Sequence, residues 1–151
     1  MARHTNILYR TAGGLLLATA TAKLISFFGH AKILYTLDPV FFILTTKFLL
    51  LQAGIFEIVV GLTLLANTSS LLKWMLLLFT CLCFWSYRLG ILIVNPGKPC
   101  SCLGTIFDWS PWLQTYSQYI ALGILIFFTI CLIPCNPRFQ NSLEKYVPPK
   151  N

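Results

Sequence analysis

The chain has 151 residues, 57% of them hydrophobic and only 10% charged, with a mean hydropathy of +0.76. Soluble domains carry about 25% charged residues, so the composition excludes an ordinary soluble domain and points to a single integral membrane domain. The formal net charge of +7 comes from basic residues set singly between apolar runs. They form no patch of the kind nucleic-acid binding needs, so the expected partner is the lipid bilayer and not nucleic acid.

Four apolar segments follow one another, each near the roughly 20 residues that a helix needs to cross a bilayer. They predict an all-α, integral membrane four-helix bundle with spans at about 9–28, 41–66, 72–94 and 112–134. The runs are too long for strands and show no period-two alternation. The first contains Lys23. Arg3 and Arg10, then Leu15 to Leu17, then the small residues 18–22 resemble a signal peptide with a cleavage site. Leu24, Ile25, Phe27 and Phe28 extend the run past that site, and a retained first helix is the expectation. The second segment carries Lys47 and Glu57, the third Arg88, and the fourth no charge. Asp38-Pro39 marks the first break, and residues 67–70 are a polar turn. An outer loop, 95–111, is rich in turn formers (Asn95-Pro96-Gly97, Pro99, Ser110-Pro111), and a polar tail covers 136–151. Gly13, Gly14, Gly54 and Gly61 offer close helix approach. Trp74, Trp85, Trp109 and Trp112 read as interface anchors.

Four spans put both termini on one side. Arg3, Arg10, Lys73, Arg138, Lys145 and Lys150 share that side, and Lys32, Lys47 and Lys98 flank the other. Six against three makes the termini cytoplasmic. The protein is then a multi-pass protein of a bacterial inner membrane, with loop 95–111 facing the periplasm, where disulfides form and persist.

That loop holds Cys100 and Cys102 in the stretch KPCSCLGT. Two backbone steps span at most about 7 Å, and a disulfide wants its Cα atoms about 4.4–6.8 Å apart. A bridge is therefore feasible but strained, and strained exposed disulfides exchange readily. Pro99 stiffens one side of the pair, Gly104 frees the other, and Lys98 favours a thiolate. A redox pair is one reading. A soft metal site is the rival, but His4 and His30 are the chain's two histidines and two thiolates fill half a tetrahedral site. An inert loop is the third. Cys81, Cys83 and Cys131 fall inside apolar segments and read as small packing residues.

A lone carboxylate in mid-span must be neutral or paired. Glu57 has two candidate partners, Lys23 and Arg88, together forming a polar core. One reading is an ion pair that holds the helices in register. The other is a polar pocket beneath the Cys loop that holds a quinone or passes a proton. Lys47, nearer the interface, snorkels.

AKLISFF in the first segment, FEIVVGLTLL in the second, YRLG in the third and PCSCLG in the loop together resemble the MauE/DoxX family of redox-associated membrane proteins. The resemblance runs over about residues 7–134 and matches Lys23, Glu57, Arg88, Cys100, Cys102 and Gly104 to family positions. Ser101 stands where the family prefers Gly and Leu103 where it prefers Phe, and eleven residues separate Arg88 from Cys100. The resemblance implies a four-helix bundle and periplasmic disulfide chemistry beside a thioredoxin-like partner, as for MauE in methylamine dehydrogenase maturation. Other relatives accompany quinone-linked sulfur oxidation. The expected function is thus a relay of electrons or disulfides through Cys100 and Cys102, or help in maturing disulfide-containing periplasmic proteins. A non-catalytic membrane subunit or assembly factor, and a small-molecule or quinone carrier centred on Glu57, are the alternatives.

Overall fold

The computed structural model describes residues 2–29, 32–94 and 111–136. Four helices account for most of them: α1 (Ala2–Phe27), α2 (Thr46–Leu65), α3 (Ser70–Val94) and α4 (Pro111–Cys135). The fold is an all-α bundle. Among the described residues the extended pairing is one isolated bridge between Leu37 and Thr45. Long apolar runs become helices here because a helix satisfies every interior N–H and C=O within itself, which hydrocarbon surroundings demand. Thr46–Leu65, Ser70–Val94 and Gln118–Cys135 are each long and apolar enough to cross a membrane, which marks the chain as a multi-pass membrane protein. α1, at 26 residues, reaches about 39 Å at 1.5 Å per residue. It carries Lys23 within its length and runs unbroken through residues 18–22. Ile55, Val59 and Leu62 on α2 and Leu82, Leu89 and Ile93 on α3 are exposed, an outward apolar face suited to lipid.

The tightest packing joins α1 to α2. A Cβ built on Gly13 would stand 3.0 Å from the Gly61 carbonyl oxygen, and one on Gly61 would stand 3.1 Å from the Gly13 oxygen. The two backbones meet there because neither carries a side chain. Gly54 lies against Leu24 at ordinary contact distance, whereas Gly14 faces open space, so only part of the predicted glycine set serves packing. α3 packs against α4, with Trp74 Nε1 donating to the Leu132 carbonyl (3.2 Å) and Trp85 Nε1 to Thr129 Oγ1 (3.1 Å). These two tryptophans therefore tie helices together instead of acting only as interface anchors; an indole N–H in an apolar setting takes whatever acceptor is near. Trp109 lies outside the described residues.

Each end of the bundle has its own fastening. At the end where α1 begins and α4 finishes, Tyr9 Oη lies 3.1 Å from the Cys135 carbonyl oxygen and 3.4 Å from that of Ser70. Pro134, which has no N–H to donate, precedes the last residue of α4. At the opposite end α2 starts at Thr46, five residues later than the apolar run suggests. Asp38 is the reason. Its Oδ1 accepts from the N–H groups of Val40 (2.9 Å) and Phe41 (3.0 Å), and its Oδ2 accepts from Tyr87 Oη (2.7 Å). Those bonds fold residues 38–45 into a turn, closed by Asp38 N–H to Leu44 O and Thr46 N–H to Thr36 O. Apolar residues 41–44 thus belong to a cap and not to the helix. Phe41 stacks on Tyr87 (6.3 Å between centroids), and Val40 fills the space over Gly90.

The Gly13–Gly61 contact yields a paired test. Gly13→Val should destabilise the detergent-solubilised protein by about 1–3 kcal/mol, the usual cost of overpacking. Gly14→Ala, one residue on and facing open space, should be neutral or stabilising by roughly 0.5–1 kcal/mol. Thermal unfolding of both variants measures the difference, and equal stabilities would show that the two backbones do not meet.

Candidate functional site

The polar core lies where α1 crosses α2 at mid-span. Lys23 Nζ contacts both carboxylate oxygens of Glu57, at 2.6 Å to Oε1 and 2.9 Å to Oε2. Thr19 Oγ1 donates to Oε2 at 3.1 Å. Glu57 is 0% exposed and Lys23 5%. Removed from water, each charge depends on the other, and three hydrogen bonds onto one carboxylate offset part of the cost of burial. The ammonium also lies 5.8 Å from the Phe84 ring centroid. Lys23 fills the partner position for Glu57, and Arg88 does not join the pair. Arg88 is half-buried and forms no ion pair among the described residues, yet it lines the same cavity.

That cavity is a half-open cleft of about 760 Å³. α2 and α3 are consecutive but touch little. They diverge above the edge-on contact of Phe56 with Phe79 (5.9 Å). Lys23 and Glu57 lie at its floor, α4 contributes Leu125 and Phe128, and Val40, Phe41 and Tyr87 close its upper end. Thr46, Gln52, Ser86 and Arg88 add hydrogen-bonding groups to walls that are largely apolar and aromatic. Gln52, Leu82 and Cys83 are exposed along the opening. An apolar pocket with a few convergent polar groups is the usual form of a small-molecule site. Here the mouth lies between helices, within reach of a molecule dissolved in lipid.

Cys100, Cys102, Pro99 and Gly104 lie outside the described residues, as do most of loop 95–111 and the tail beyond Asn136. The four described cysteines are free thiols. Cys81 and Cys131 are buried, with Cys81 Sγ 3.5 Å from Thr129 Oγ1. Cys135 is also buried. Cys83, expected to pack inside, is instead exposed on the cleft, because the α2–α3 divergence leaves its face uncovered. Among the described residues no three His, Cys, Asp or Glu side chains come together as metal ligands. Lys47 reaches the rings of Phe27 (4.9 Å) and Tyr35 (5.0 Å) at the Asp38 end.

Sequence reasoning missed Thr19, Asp38, Tyr87 and Gln52. Thr19, Lys23 and Ser26 recur at helical spacing on the buried face of α1, and that stripe was the available signal for Thr19. Asp38 and Tyr87 are 49 residues apart and no spacing rule links them. No family model matches the chain, and comparison with curated proteins and with solved structures gave no match.

Glu57→Gln should leave membrane insertion intact and lower bundle stability by about 3–5 kcal/mol, because Lys23 is then buried without a counter-charge. Lys23→Met combined with Glu57→Gln should recover most of that loss. Unfolding in detergent measures both, and a single variant as stable as the parent would mean that the pair contributes nothing to the fold.

Proposed function

We propose that the protein is an integral membrane component of thiol–disulfide redox chemistry. In this reading Cys100 and Cys102 form its redox pair on the periplasmic side of a bacterial inner membrane. A thioredoxin-like periplasmic protein exchanges disulfides with the pair, and the Glu57 cleft receives a lipid-soluble electron acceptor, a quinone. The step balances. Oxidation of the two thiols to a disulfide releases two electrons and two protons, and the quinone takes up both to become a quinol.

The observation that carries the reading is the course of the cleft. It rises from Lys23 and Glu57 at mid-span to Tyr87 and Arg88, close to the end of α3 from which the chain enters the cysteine-bearing segment. An ammonium has three donors. With Lys23 bound to both oxygens of Glu57, one donor is left for a quinone oxygen. Arg88 offers a second site, and Phe79 and Phe84 supply flat walls. The sequence resemblance to the MauE/DoxX family supports the same assignment at Lys23, Glu57, Arg88, Cys100, Cys102 and Gly104. A carrier or assembly factor centred on Glu57 would use the cleft without the cysteines.

Single replacement of Cys100 or Cys102 by Ser should trap a mixed disulfide with the partner, visible as a reductant-sensitive adduct, since the resolving thiol is gone. The double replacement should abolish partner oxidation while leaving quinone-dependent stabilisation of the bundle unchanged. A carrier keeps full function in the double variant. If neither single variant cross-links and both thiols alkylate freely without reductant, the relay reading fails.

Orientation is tested separately. A reporter fused after Asn151 should be active only in the cytoplasm, given six basic residues on that side against three. Periplasmic activity would move the cysteines to a reducing compartment and remove the basis for a disulfide there.

A further inference from the structure

Lys73 is the fourth residue of α3 and is 6% exposed. A cation in the first turn of a helix opposes the helix dipole, and the stem of Lys73 is buried while its ammonium opens onto a pocket instead of meeting a counter-charge. Neither described acidic residue supplies it. Asp38 is bound at the other end of the bundle, and Glu57 is paired with Lys23. Among the described residues the Lys73 ammonium has no carboxylate and no hydrogen-bond acceptor; its neighbour is the Tyr9 ring, 5.7 Å from the centroid.

Beside it lies a polar pocket of about 170 Å³, lined by Lys73 with Thr5, Asn6, Asn67, Thr68 and Ser70. Thr68 Oγ1 already donates to the Thr63 carbonyl (3.2 Å); the amides of Asn6 and Asn67 and the Ser70 hydroxyl are the groups that would donate to an oxyanion. The pocket sits at the start of α3, where the first N–H groups of a helix lack intrahelical acceptors. Its volume suits one tetrahedral oxyanion in place of a few waters. It also lies at the helix ends that the charge bias assigns to the cytoplasmic interface, where basic pockets between membrane helices meet anionic head groups.

We propose that this pocket binds a phosphate group, with Lys73 as its counter-ion and the start of α3 as its cradle. The shared chemistry is a phosphate oxyanion, carried by an anionic phospholipid or present as free phosphate. The proposal is independent of Cys100, Cys102 and the Glu57 cleft.

The test uses the full chain in phosphate-free detergent. One arm titrates inorganic phosphate against chloride at constant ionic strength and reads the melting temperature. The other offers vesicles of phosphatidylglycerol or of an uncharged glycolipid and reads retained lipid by native mass spectrometry. Retention of phosphatidylglycerol over the glycolipid supports a lipid source, and stabilisation by inorganic phosphate supports a free one. In either case Lys73→Gln should weaken binding about fivefold or more, the weight of one basic residue at an anionic surface. Asn67→Ala, at an exposed position, should weaken it less and in the same direction. It decides the matter if Lys73→Gln does not fold. No response to either probe, or unchanged affinity in the variants, overturns the proposal and leaves Lys73 as a lysine whose stem packs on Tyr9 while its head reaches water.

Discussion

The ion pair between Lys23 and Glu57 is the constraint on which the rest of this bundle depends. In a bilayer the lipid is as apolar as the helix faces, so burial of leucine alone gives neighbouring helices little reason to choose one rotation over another. A buried carboxylate does give a reason, because its cost is relieved only where an ammonium and further donors converge on it. With Lys23 and Thr19 both bound to Glu57, α1 and α2 are set in one antiparallel register. That register then brings Gly13 opposite Gly61, where the backbones can close. Ion pair and glycine contact support each other. The small residues allow the helices near enough for short hydrogen bonds, and the bonds hold the small residues face to face.

The remaining helices are attached by polar groups reaching for backbone or hydroxyl acceptors. Tyr9 reaches carbonyls near the start of α3 and the end of α4, and Trp74 reaches a carbonyl within α4. At the other end Asp38 gathers two N–H groups of its own turn and the Tyr87 hydroxyl. These fastenings lie mostly toward the two ends. Between them α2 and α3 are free to part, and the cleft occupies the space that results. Its floor is the same ion pair that orders α1 and α2. Any molecule that draws hydrogen bonds from Lys23 therefore acts on the group that sets the bundle's register, which links occupancy of the cleft to stability of the fold.

The two polar regions of the interior differ in a way that bears on function. The Lys23–Glu57 pair is neutralised internally and gives a floor without net charge. The Lys73 pocket carries an uncompensated positive charge among the described residues, suited to an anion. A membrane protein with four acidic residues against eleven basic ones has few carboxylates to spend on internal pairing. The two that fall among the described residues are both buried.

The sequence by itself determined the class of the protein. Long apolar runs without period-two alternation, in a chain with 10% charged residues, can satisfy their backbones in lipid only as helices, so the all-α bundle was legible without coordinates. Glu57 was legible as a buried charge needing a partner, for the same reason. Which partner it takes was not. Lys23 and Arg88 stand at similar sequence separations from it, on different helices, and the choice depends on which helix packs closest to α2. The Gly13–Gly61 approach makes that helix α1. Asp38 read only as a turn residue, because its reach to Tyr87 spans 49 residues and follows from how the cap folds over α3. The late start of α2 has the same cause: residues 41–44 are as apolar as a helix could want, but Asp38 captures the N–H groups of Val40 and Phe41 first. Local composition decides what can be a helix in a membrane; contacts between elements far apart in the chain decide where each helix begins and which buried charges meet.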